Sequence, residues 1–148
     1  MANNHSSIRG RVRARRCAVH ALYQWQLAGQ NPKDILSEFI AERELIKVDM
    51  EYFRQLTIEI PAHAEELKKH LSTVVEKKVD ELDPVEFSVL MIGSYELAHC
   101  PEIPWRVVVN EGIELAKMFG ATDSYKFING SLDKLAKDLR KTEIKASS

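Results

Sequence analysis

Five arginines fall within the first sixteen residues, at Arg9, Arg11, Arg13, Arg15 and Arg16, with no acid among them. Of the chain's 21 lysines and arginines the remaining 16 follow Arg16, against all 22 acidic residues, so this start stands out from an otherwise acidic chain. The cluster runs into an apolar, helix-like segment from Cys17 to Tyr23. Positive charge at a helix N-terminus opposes the macrodipole. A cluster that works against folding there points to an anionic partner, with nucleic acid the leading candidate and an idle basic tail the alternative.

A second basic feature is Lys126-Phe127, just after Gly120-Ala121-Thr122-Asp123. A cation beside an aromatic ring suits single-stranded RNA, where the charge meets phosphate and the ring stacks on a base. Spacing alone favours the plainer reading, with Phe127 in the core and Lys126 as an ordinary surface charge. Tyr23 reads either as a buried aromatic or as an interface anchor.

Catalysis finds no support. The six glycines form no P-loop or dinucleotide turn, and no Gly-x-Ser-x-Gly elbow occurs. His63 and His70 share a helix face, but no cysteine or carboxylate pattern joins them as metal ligands. His99 and Cys100 are adjacent and point apart on a helix, which disfavours a thiol–imidazole pair. Glu65-Glu66 and Glu111/Glu114 read as solvated faces. No catalytic residue, metal or cofactor is expected.

The elements that must position these residues are all helical. Apolar residues recur at three and four, glycine is scarce, and proline falls mostly at segment edges. The first helix carries Ala18, Leu22 and Trp25 and stops at Gly29. The second starts near Asp34 and is expected to bury Ile35, Leu36, Phe39 and Ile40. A stripe from Asp49 through Phe53, Leu56, Ile60, Ala64, Leu67 and Leu71 contains Pro61, which should kink or split it. Val74, Val75 and Val79 suggest a short helical piece. Asp83-Pro84-Val85-Glu86 has the pattern of a capping box, and its helix ends at His99-Cys100-Pro101. Pro104 restarts a helix through Phe119, with Gly120 as C-cap. A last helix runs from about Thr122 or Asp123 to Arg140. The expected fold is all-α, with about seven helices in two packed bundles and no sheet. Residues 1–10 are expected as a flexible basic tail, 11–80 and 83–140 as the bundles of one domain, and 141–148 as a flexible tail.

At 148 residues and 45 % hydrophobic the chain can bury a core, and 29 % charge favours solubility. The longest apolar runs, such as Phe87 to Gly93, are too short to span a bilayer. The arginines leave no apolar stretch like a secretory signal. Two distant cysteines make no disulfide framework. A cytoplasmic setting is the expectation.

The segment Arg13-Ala14-Arg15-Arg16-Cys17-Ala18-Val19-His20-Ala21-Leu22-Tyr23-Gln24-Trp25 resembles the Arg-rich first helix of the NusB family. More specific are Pro104 to Lys117, Phe119-Gly120, and Ser124-Tyr125-Lys126-Phe127-Ile128-Asn129-Gly130. The likeness covers about Arg11 to Arg140. It implies a two-bundle helical transcription antitermination factor that binds boxA RNA of nascent ribosomal RNA transcripts. The implied partner is NusE, a small-subunit ribosomal protein, and the pair helps assemble an antitermination complex on RNA polymerase. It further implies RNA-contacting roles for Arg11, Arg13, Arg15, Lys126 and Phe127, and a NusE-facing position for Tyr23, Glu86 and Asp123. Val12, Arg16, His20 and Ser131 depart from the family pattern. Arg16 compensates for Val12 only if the helix turns it toward RNA.

Three other functions compete. NusB-like domains occur fused to ribosomal RNA cytosine methyltransferases, but no catalytic cysteine motif is visible here. A helical scaffold without RNA affinity would leave the arginines unused. A helix-turn-helix DNA reader would carry its charge on an internal recognition helix.

Overall fold

The computed structural model describes residues 7–146. Among them lie eight α-helices and a 3-10 turn, with no strand. The chain divides into two compact units, one up to His63 and one from Ala64 onward.

The first unit holds α1 (Ile8–Ala28), α2 (Pro32–Glu42) and α3 (Met50–Ala62), each packed on the other two. Ser7 caps α1, its hydroxyl accepting from the Gly10 amide at 2.9 Å. Gly29 ends it in the left-handed region at φ 63°, a conformation that costs glycine little. Asn31 caps α2, with Pro32 at the first helical position. Asp49 caps α3 through the Tyr52 amide, and its own amide donates to the Gly10 carbonyl at 3.0 Å. That bond pins the α2–α3 connection to the first turn of α1. Ala14, Ala18, Leu22, Ile35, Phe53, Leu56 and Ile60 fill the core, and the Phe39 and Phe53 rings lie 5.1 Å apart. Ile40, expected inside, is 40 % exposed. Phe39 and Leu36 already occupy the inward track of α2.

The second unit holds α4 (Ala64–Ser72), the 3-10 turn (Val79–Glu81), α5 (Pro84–His99), α6 (Trp105–Phe119), α7 (Ser124–Leu139) and α8 (Lys141–Ala146). Every residue of α5 from Phe87 to Leu97 is buried, because α4, α6 and α7 all pack against it. Gly93 of α5 and Gly112 of α6 both admit Leu132 of α7. A Cβ at either glycine would come within 2.6 and 2.5 Å of its methyl groups.

Several boundaries differ from the sequence expectation. Ile8, Arg9 and Gly10 are not tail but the first turn of α1, held by the Ser7 cap; residues 1–6 lie outside the described residues. Residues 141–146 are likewise helical, because Glu143 is engaged by Arg140 and by the Trp105 amide; residues 147 and 148 lie outside the described residues. The boundary between units falls at His63, just past Pro61, and not near residue 80. Leu67 and Leu71 of α4 belong to the second unit's core. Val74 and Val75 form no helix; the 3-10 turn begins at Val79.

Candidate nucleic-acid interface

Helical geometry sorts the five arginines. Residues two apart on an α-helix point about 200° from one another, so the run from Arg9 to Arg15 cannot face one way. Arg11 and Arg15 turn toward α3. The Arg11 guanidinium lies 4.5 Å and that of Arg15 5.6 Å from the centroid of the Tyr52 ring, and Arg11 Nε is 3.8 Å from the Asp49 carboxylate. Arg15 is only 4 % exposed. Arg9, Arg13 and Arg16, spaced at four and three, face away from Tyr52's side of the helix, and none has a hydrogen-bond, ion-pair or ring partner among the described residues. The expected trio Arg11, Arg13 and Arg15 is therefore not one surface. Arg13 is half-buried with its charge unpaired, Arg11 is half-buried and engaged, and Arg15 is inside. Arg16, the departure from the family pattern, is exposed.

On the second unit, Lys126 and Phe127 meet in a cleft of about 490 Å³ lined also by Val74, Glu76, Lys77, Leu82, Glu86, Gly130, Ser131 and Lys134. Its size falls in the range of clefts that take small ligands. Phe127 is half-buried and lines this cleft, while its neighbour Ile128 fills the core; the ring is neither wholly inside nor wholly free. Lys126 is exposed and 3.6 Å from Asp123, a surface pair that water weakens. Lys77 and Lys134 were not anticipated. Lys134 was readable from the sequence, since residues 126, 130 and 134 recur every four along one helix face. Lys77 comes from the connection after α4, and only the tertiary fold brings it there. Gly130 has open space where a Cβ would stand, so the lack of a side chain keeps the cleft clear.

The residues expected to face a protein partner lie on both units, each in its own setting. Tyr23 on α1 is 40 % exposed, and Leu27, one turn on, is 60 % exposed, an apolar strip on an otherwise polar face. Asp123 is exposed at the start of α7. Glu86 is half-buried: its carboxylate accepts from the Ser124 hydroxyl at 2.7 Å, tying the first turn of α5 to that of α7. The capping box is thus half formed. Asp83 accepts from the Val85 and Glu86 amides, but Glu86 reaches to Ser124 and not back to Asp83.

His99 is engaged by a carboxylate on α4. Its ring lies 3.0 Å from the Glu66 carboxylate, which His70 approaches from the same helix at 3.4 Å, while Cys100 is buried. Burial pushes the Glu66 carboxyl up, yet the bonds from His99 and His70 together hold it below its ordinary range.

The fold is all-helical, with arginines that have no partner among the described residues on one unit and a cleft lined by lysines and a half-buried aromatic ring on the other. The NusB family model matches residues 12–137. The chain belongs to the NusB family. It is 47 % identical over 141 residues to the transcription antitermination protein NusB of Alcanivorax borkumensis, covering 95 % of this chain and 94 % of that one. To the protein of the same name from Legionella pneumophila strain Corby it is 44 % identical over 138 residues, covering 93 % and 94 %. Among solved structures, T. maritima NusB superposes with a TM-score of 0.72 at 32 % identity, over 85 % of this chain and 90 % of that one. A crystal structure of the antitermination factors NusB and NusE in complex with dsRNA gives 0.73 at 27 % identity, over 89 % and 99 %. Among the described residues no helix is long and apolar enough to cross a membrane.

Proposed function

We propose that this protein, in the cytoplasm, binds boxA-type RNA of nascent ribosomal RNA transcripts together with NusE, and helps assemble an antitermination complex on RNA polymerase. The observation that carries the reading is the cleft of the second unit. Phe127 supplies a stacking face, Lys126, Lys77 and Lys134 supply charge for the backbone, and Gly130 leaves room for a base. The arginine helix of the first unit adds attraction that does not depend on sequence. Arg13 on one side and Arg11 on the other serve as its contacts, and Arg15 shares the Tyr52 ring with Arg11 from within. Tyr23, with Leu27 beside it, offers NusE an amphipathic anchor, and Glu86 and Asp123 offer it charge. The related NusB–NusE–dsRNA complex supports both partners.

The test is the variant Lys126→Ala with Phe127→Ala. If the cleft reads bases, the variant binds boxA and scrambled RNA with equal affinity while the wild type prefers boxA. A variant that keeps the preference places base recognition elsewhere.

A further inference from the structure

A second groove, on the first unit, is lined by Ser7, Ile8, Arg9, Arg13 and Lys47. Three of its five lining residues are cations and none is an acid. Arg9, Arg13 and Lys47 have no hydrogen-bond or ion-pair partner among the described residues. Three like charges held together without a counter-charge repel one another, and an anion relieves that repulsion. The acid closest in sequence to Lys47 is already engaged: Asp49 is buried, caps α3 and lies beside Arg11.

Lys47 is not there by chance of a loose loop. Among the described residues it is the one non-glycine residue with positive φ, at 63°, a left-handed conformation that side-chain-bearing residues seldom adopt. Two residues on, the Asp49 amide is bonded to the Gly10 carbonyl, between Arg9 and Arg13 on α1. The connection is therefore fixed against the turn of α1 that carries both arginines.

We infer that Lys47, with Arg9 and Arg13, forms a groove that binds the phosphodiester backbone of RNA. The inference rests on the RNA reading above and adds to it a contact from outside the arginine helix. A polymer backbone fits better than an acidic peptide, because the unpaired cations continue along α1 to Arg16 at spacings of four and three. Such a row tracks regularly repeated charges. The groove offers a peptide only Ile8 as an apolar anchor.

The test compares Lys47→Asn with Lys47→Arg in the full chain, titrated with boxA and scrambled RNA over a salt series. Asparagine tolerates the left-handed conformation, so Lys47→Asn removes charge and keeps the turn; an unchanged melting temperature verifies this. One lost phosphate contact on single-stranded RNA lowers the salt slope by about 0.7, or about five-fold in affinity at 0.1 M salt. The loss is expected to be equal for both RNAs, and Lys47→Arg is expected to bind like the wild type. Wild-type affinity and slope in Lys47→Asn, with RNA still bound, overturn the groove and leave the RNA reading standing. A wild type that binds no RNA even at low salt overturns both. Loss of binding to a polyglutamate peptide in Lys47→Asn, with RNA binding intact, overturns the inference in favour of a peptide site.

Discussion

Two arginines two positions apart do different work. Arg13 has no charge partner among the described residues, whereas Arg15 is buried against the Tyr52 ring. Arg13→Ala is therefore expected to weaken RNA binding equally for all sequences, to flatten the salt slope and to leave the melting temperature unchanged. Arg15→Ala is expected to lower stability by about 1–2 kcal/mol, the scale of a desolvated cation–π contact, which denaturant unfolding reads directly. The sequence shows the cluster as a count of charges. It does not show which charges are engaged, because the partners that separate them, Tyr52 and Asp49, lie more than thirty residues away, on α3 and at its N-cap. The same limit hid Lys77 and Lys47, which reach their clefts from connections and not along a helix face.

Within the second unit, α7 serves two purposes on two faces. Its inner face sends Leu132 against Gly93 and Gly112, and its outer face sets Lys126, Gly130 and Lys134 along the cleft. The two glycines invite opposite tests. Gly112→Ala drives a Cβ into Leu132 and is expected to destabilise by about 1–3 kcal/mol through overpacking. At Gly130 a side chain meets nothing, so Gly130→Ala is expected to stabilise by about 0.5–1 kcal/mol through helix propensity. Gly130→Leu is expected to fold as well as the wild type and to bind boxA RNA more weakly, since its side chain occupies the cleft. Undiminished boxA binding by a folded Gly130→Leu argues against a base in that space. Periodicity and end signals located the end of α1 and the bounds of α5, α6 and α7 closely, because each has a strong stop or start: Gly29, Asp83-Pro84, Pro104 and Gly120; α2, expected from near Asp34, begins at Pro32 behind its Asn31 cap. Gly120 was placed correctly for a different reason. Its backbone is extended, not left-handed, and a Cβ would come within 2.8 Å of the Ala116 carbonyl and 2.9 Å of the Ser124 hydroxyl.

Over the molecule as a whole, the fold class and the family were legible in the sequence, whereas the helical structure of residues 8–10 and 141–146 was not. The C-terminal end shows why. Arg140, buried, donates to the carbonyls of Glu96, Leu97, Cys100 and Ile103, satisfying the end of α5 and the connection that follows. Glu143 pairs with Arg140 and accepts from the Trp105 amide at 3.0 Å, capping α6. A polar Lys-Thr-Glu stretch carries no periodic sign of this. The Trp105 amide, and then Arg140, hold the Glu143 carboxyl below its ordinary value of 4.5, against burial, which pushes it up. A folded-state value below the unfolded one gives stability that is full above about pH 4.5 and is lost as pH falls through the lowered value. Glu143→Gln is expected to remove that part of the acid sensitivity, read as a smaller fall in melting temperature between pH 6 and pH 3.

The central claim is that arginine charge supplies attraction while the cleft and NusE supply the choice of RNA. Its most direct measurement is the affinity of the wild-type chain for boxA and scrambled RNA, with and without NusE, over a salt series. Affinity for both RNAs is expected to fall steeply with salt, boxA to bind more tightly at every salt, and NusE to widen the gap. Equal affinity for the two RNAs in the presence of NusE, or binding indifferent to salt, would contradict it.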